Sequence, residues 1–193
     1  GTDQDPGNGF KGTGTLTTSN STVTVTYTNP QGIGFYQPSG GAYYYSNGTD
    51  GPAGTSPFTS SAVDNRPAAT DIIALQYAGT QTLSFSQAIA NPVFAYVSLN
   101  GNGYGFDQDF DILSFGDSSD GNACGYWGCG TSYKQMVTVN GKTEYQLLGT
   151  GEPRGTLQFK GTFDTVNWRS LSDENWNGFT VGVQGTAVEF CDA

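Results

Sequence analysis

Along most of the chain, apolar and polar residues alternate in short runs, and clusters of Gly, Pro, Asn and Ser separate one run from the next. A period of two is the signature of a half-buried β-strand, because successive side chains leave opposite faces of a sheet. Residues 14–28 read GTLTTSNSTVTVTYT and predict one strand with Val23, Val25 and Tyr27 on a common face. Residues 70–77 and 80–86 predict two short strands joined as a hairpin at Ala78-Gly79. Residues 92–100 are more continuously apolar and predict a buried central strand. Further on, residues 133–139 and 142–148 flank Asn140-Gly141, the strongest hairpin signal in the chain. Residues 155–161, 163–168, 178–183 and 186–191 continue the series. Between residues 29 and 67 only 32–36 and 43–45 have strand character, and a connection this long is commonly functional or packed on itself.

No stretch has a helical period. The expected fold is therefore a single all-β domain over residues 1–193, an antiparallel β-sandwich of jelly-roll type. Residues 1–14 are polar and turn-rich, and they read as an N-terminal extension able to add a strand to a neighbouring copy.

Composition supports this and narrows the chemistry. Gly 29, aromatics at 13% and charged residues at only 12% favour strands and tight turns. A net charge of −10 with Lys+Arg 7 leaves no basic stripe for a phosphate backbone, which excludes nucleic acid and makes an anionic membrane a poor partner. Histidine is absent, so Ser-His-Asp and Cys-His catalysis are excluded. No apolar run approaches transmembrane length, and the expectation is a processed, secreted chain without membrane insertion. Asn20-Ser21-Thr22 and Asn47-Gly48-Thr49 match the glycosylation acceptor pattern.

Chemistry concentrates in residues 100–130. Asp107, Asp109 and Asp111 alternate, so an extended chain would project three carboxylates from one face about 7 Å apart. Asp117 and Asp120 follow in a Gly- and Ser-rich turn, and this oxygen-rich set predicts a Ca²⁺ site. Aspartates among Gly and Ser are also ordinary turn formers. The order is not that of an EF-hand loop, and Asp3 and Asp5 form a weaker second candidate without a distal Glu. Cys124 and Cys129 are close enough to close a small disulfide loop, which points to an oxidising compartment. Cys191 is left over, either free, pairing between chains or displacing one partner of the loop.

Tyr126 and Trp127 inside that loop, with Tyr43, Tyr44 and Tyr45, are the aromatics expected to meet a sugar ring or a protein partner. Trp168 and Trp176 are expected in the core. A glycoside-active enzyme would need two carboxylates roughly 5–10 Å apart with one pKa raised. Of Glu144, Glu152, Glu174 and Glu189, the better candidates are Glu152 beside Pro153-Arg154 and Glu174 before Asn175-Trp176.

The series Asn91-Pro92-Val93, Val97-Ser98-Leu99-Asn100, Tyr104-Gly105-Phe106-Asp107, Gly125-Tyr126-Trp127-Gly128, Gly151-Glu152-Pro153-Arg154-Gly155 and residues 174–183 resembles the exported β-rich domains of bacterial PEP-CTERM-type surface proteins. The resemblance covers about residues 70–183. It implies export, sorting to the cell surface and association with a polysaccharide matrix, mostly without a defined activity. The sorting tail that names the class is not in the sequence; cleavage, truncation or a different lineage would each account for that. The functional expectation is a secreted, non-catalytic, calcium-binding structural or adhesive component of the extracellular matrix. Its partners would be polysaccharide, surface proteins or copies of itself. Carbohydrate binding through exposed Tyr and Trp is the first alternative, and a two-carboxylate enzyme the second.

Overall fold

The computed structural model describes residues 2–3, 9–46, 56–116, 124–174, 176–183 and 185–191. In chain order the strands are β1 (Thr2–Asp3), β2 (Phe10–Thr17), β3 (Thr22–Asn29), β4 (Phe35–Gln37), β5 (Ile72–Leu75), β6 (Gly79–Ala90), β7 (Val93–Val97) and β8 (Tyr104–Phe106). There follow β9 (Phe110–Phe115), β10 (Gly130–Val139), β11 (Lys142–Gly151), β12 (Gly155–Phe159), β13 (Thr162–Ser170), β14 (Asn177–Gly182), β15 (Gly185–Thr186) and a short helix α1 (Ala187–Cys191). They form two antiparallel sheets packed as a sandwich. One runs β1-β2-β3-β6-β13-β8-β11-β10, with β15 on β6; the other runs β4-β5-β14-β7-β12-β9. From β5 onward the chain changes sheet at every connection except the β10–β11 hairpin, the crossing habit of a jelly roll.

The sheets meet over a mainly aromatic core. Phe94 of β7 stacks on Phe179 of β14 at 4.7 Å and meets Trp168, Phe106 and Phe159 edge-on from 5.8 to 6.0 Å. Fully burying each such ring is worth about 1.5–3 kcal/mol, so this cluster dominates stability. β7 is buried at all five positions for a reason visible in its sides. Phe94 and Tyr96 face the inter-sheet core, while Ala95 and Val97 face outward under a second cluster of Tyr45, Phe58 and Ile72. The long segment after β4 thus roofs the outer face of the six-stranded sheet.

Several local expectations are corrected. Residues 14–28 are a hairpin rather than one strand: Thr18 N–H donates to the Ser21 carbonyl at 2.9 Å, and the Thr18 hydroxyl accepts from Ser21 N–H at 3.0 Å. Val23 and Tyr27 are buried on one face as expected, and Val25 is half-buried. The predicted extension is in part a strand of this chain's own sheet, since β2 pairs with β3 from Phe10↔Asn29 to Thr17↔Thr22 and Phe10 is buried. Residues 70–86 are not a hairpin, because β5 and β6 lie in different sheets. Residues 43–45 form no strand. Residues 186–191 turn helical after Thr186. The Thr186 hydroxyl accepts from Glu189 N–H at 3.3 Å, and Glu189 accepts from Thr186 N–H at 2.6 Å, a capping box.

Candidate functional site

Antiparallel pairing brings five connections to one end of the six-stranded sheet. The C-terminal ends of β5, β7 and β9 and the N-terminal ends of β14 and β12 coincide there, through Asn177↔Leu75, Gly178↔Val97, Gly155↔Tyr96 and Gly155↔Phe115. The loops after β5, β7, β9, β11 and β13 therefore emerge together.

The loop before β10 carries the aromatics. Cys124 and Cys129 lie at disulfide distance, and Gly125 N–H donates to the Gly128 carbonyl at 2.7 Å, leaving Tyr126 and Trp127 at the tip. The Arg154 guanidinium donates to the Cys124 carbonyl from below. Tyr126 is 49% exposed and Trp127 37%. Trp127 stacks on Tyr44 at 4.7 Å and 15°, and Trp176 approaches its ring to 3.5 Å at 40°. Tyr126 leans on both Tyr44 and Trp127, at 5.0 and 4.5 Å. Four rings from three distant segments make one aromatic ridge.

Beside the ridge is a polar half. Glu174 accepts from the Asn100 amide at 3.2 Å and from Trp176 N–H at 3.3 Å. Glu152 accepts from the Ser98 hydroxyl. Burial, helped by the charge of Glu174, pushes the Glu152 carboxyl up, against a smaller opposing pull from Ser98. Ser98 and Asn100 both have left-handed backbone, φ 56° and 52°, which costs a non-glycine residue about 1–3 kcal/mol each. Both strained residues hold a carboxylate. Gln76, Tyr77, Asn100, Asp173 and Glu174 line an open cleft of about 440 Å³, with Tyr77 41% exposed at its wall.

The structure sorts the residues expected from sequence. Tyr126, Trp127 and Tyr44 come together, whereas Tyr45 is buried and Tyr43 is half-buried, its hydroxyl donating to the Pro67 carbonyl at 2.6 Å. Trp168 is in the core; Trp176 is instead half-buried in the ridge. Glu144 is held by Arg169 through two bonds of 2.7 and 2.8 Å, and the Arg169 hydrogen bond keeps its carboxyl below the usual range. Glu189 caps α1 and accepts from the Thr18 hydroxyl at 2.7 Å. Only Glu152 and Glu174 share a site.

The aspartates do not lie on one continuous strand, because the chain leaves one sheet after Phe106 and joins the other at Phe110. Asp107 accepts from Asn167 N–H and its amide at 2.9 and 3.0 Å. Asp109 meets Lys134 at 2.5 Å and Lys160 at 3.5 Å, and Lys160 reaches Asp111 at 3.2 Å. Among the described residues no group of acidic or thiol side chains converges as a metal site. Asp5, Asp117 and Asp120, with the side chains of Asp3 and Cys191, lie outside the described residues. No helix among the described residues is long and apolar enough to cross a membrane.

Sequence reasoning missed Trp176, Tyr77, Asn100 and Ser98 as site residues. Only the positions of the loops assemble them. Comparison with protein-family profiles, with curated proteins and with solved structures finds no match.

Proposed function

We propose that this chain is a secreted, non-catalytic glycan-binding domain of an extracellular matrix or cell surface, with polysaccharide as its partner. The observation that carries the reading is the meeting, at one end of the sandwich, of an aromatic ridge with a cleft of amides and carboxylates. Aromatic faces pack against the C–H faces of a sugar ring, while paired oxygens and amides bind neighbouring hydroxyls. The disulfide-closed loop fits an oxidising compartment. The resemblance to exported PEP-CTERM-type domains points the same way.

The test is affinity electrophoresis and calorimetry on a panel of soluble neutral and charged polysaccharides. Trp127→Ala is expected to lower affinity for a binding glycan about tenfold, some 1.4 kcal/mol. Tyr133→Ala, at an exposed tyrosine on β10, should leave glycan affinity unchanged. Absence of binding across the panel, or equal loss in both variants, would discard the proposal.

A second reading is favoured by one observation. β10 is the terminal strand of its sheet and exposes Tyr133 and Met136, and an exposed edge is a template for strand addition by another copy. Light scattering with added Ca²⁺ and with a chelator tests this structural role; growth abolished by Met136→Lys would support it, and a constant monomer would dismiss it.

A further inference from the structure

A second hollow lies toward the opposite end of β5 from the cleft, between β2 and β3 on one side and β4, β5 and β14 on the other. Its volume is about 230 Å³ and it opens to solvent. The cause is in β2. Residues 10, 12, 14 and 16 of this strand face inward, and two of the four are Gly12 and Gly14. Phe10 and Leu16 reach into the inter-sheet layer, and the two glycines between them add no side chain to it. Opposite, Tyr36 and Ile73 are register partners on β4 and β5, and both pack against the main core. Leu16, Val25, Phe179 and Val181 complete an apolar wall.

The mouth carries charge. Asp71 immediately precedes β5 at the open end of the hollow, which it lines, and its side chain is exposed. No described residue donates a hydrogen bond or an ion pair to that carboxylate. A concave apolar site with one convergent polar group is the usual form of a small-molecule site, although this volume is below the roughly 300 Å³ common for such pockets. The space suits a single ring and not a fused system.

We infer that this inter-sheet hollow is a binding site for a small amphiphilic amine, its ring or short alkyl chain against Leu16, Val25, Tyr36 and Ile73 and its ammonium at Asp71. Geometry and charge both select the occupant. An acid of the same shape would place its carboxylate against Asp71 in a protein of net charge −10. The site is independent of the glycan reading.

Phenethylamine, 2-phenylethanol and 3-phenylpropionate are matched probes, read by methyl chemical shifts of Leu16, Val25, Ile73 and Val181. Trp168, 5.8 Å from Tyr27 and 5.4 Å from Phe179, gives a parallel fluorescence signal, since both partners line the hollow. Phenethylamine should bind saturably with a Kd on the order of a millimolar, a magnitude fitting so small a ligand. The alcohol should bind several-fold more weakly and the acid not measurably. Gly14→Leu fills the hollow and should remove binding. Gly14→Ala, whose methyl would sit 3.4 Å from Val25 without backbone strain, keeps the fold and should weaken binding several-fold. Asp71→Asn should bring the amine to the level of the alcohol. No saturable shift up to the solubility of the amine, shifts confined to methyls that do not line the hollow, binding unchanged by both Gly14 variants, or equal affinity for all three head groups would each overturn the assignment.

Discussion

The loop that presents Trp127 is closed by a very short link, and its removal separates stability from function. The informative variant replaces both Cys124 and Cys129 by Ser, because a single replacement would leave a thiol free to pair with Cys191. With a sequence separation of 5, chain-entropy reasoning assigns the link about 7 cal/mol/K, or about 2 kcal/mol near 25 °C. Unfolding 193 residues carries an entropy of about 0.4 kcal/mol/K, so the thermal midpoint should fall only about 5 °C. The loop keeps Arg154 at the Cys124 carbonyl and the ring contacts of Trp127. It loses the constraint that fixes its tip, and glycan affinity should fall several-fold while the core stays folded. Differential scanning calorimetry with parallel glycan titration measures both. A fall in midpoint beyond about 10 °C would show the loop to be part of the cooperative core, and unchanged glycan affinity would show that the disulfide does not organise the ridge; either result refutes the reasoning.

Other consequences are open to measurement. Although burial alone would raise the Asp109 carboxyl, bonding to Lys134, aided by Phe110 N–H and Lys160, holds it below its ordinary value. Its contribution is present above the unfolded value of 3.8 and lost as pH falls through the lower folded value. Asp109→Asn should therefore cost about 1 kcal/mol at neutral pH, as expected of a partly exposed pair, with the difference closing in acid when followed by denaturant titration. Glu152 has the opposite sign: its raised carboxyl gives stability fully present below 4.5 that is lost as pH rises through the folded value. Glu152→Gln should flatten that part of the pH–stability curve and raise the neutral-pH midpoint. Gly151 has φ 66° and an added Cβ would strike the Cys129 carbonyl, so Gly151→Ala should cost about 2–4 kcal/mol by urea unfolding. If Ca²⁺ is held through Asp117 and Asp120, it should raise the thermal midpoint against a chelator, and Asp109→Asn, whose carboxylate is already taken by lysines, should leave the increment intact.

What could be read beforehand follows the range of the forces involved. Alternation in β3, the Asn140-Gly141 turn and the apolar run of β7 are local signals, and each gives its element in the structure. The two-sheet sandwich follows from them. Errors arose where a short-range bond overrides alternation: Thr18 with Ser21 breaks one strand into two, and Thr186 with Glu189 starts a helix. The capping box was legible as Thr-x-x-Glu in a stretch whose β-branched residues read as strand. Register and sheet membership were not legible, since nothing near Ala78 says that β5 and β6 belong to opposite sheets. The same limit applies to the site. Trp127 was visible as an exposed ring in a cysteine loop, whereas its contact with Tyr44 spans 83 positions of sequence and that with Trp176 spans 49. The aspartate triplet converges only if residues 107–111 form one strand, and the crossing between sheets after Phe106 prevents that.

The repeated crossing between sheets also has a kinetic meaning. Few of the contacts that close the sandwich are local, so the chain must search for distant partners before burial rewards it, and folding in milliseconds to seconds is expected for such topologies. The ridge and cleft are built from connections rather than strands, and those connections meet only when β5, β14, β7, β12 and β9 are in register. A partly folded chain can own every residue of the ridge and cleft and still have neither. Under the proposed glycan binding, recognition is thus a late event, withheld until the whole sheet is complete.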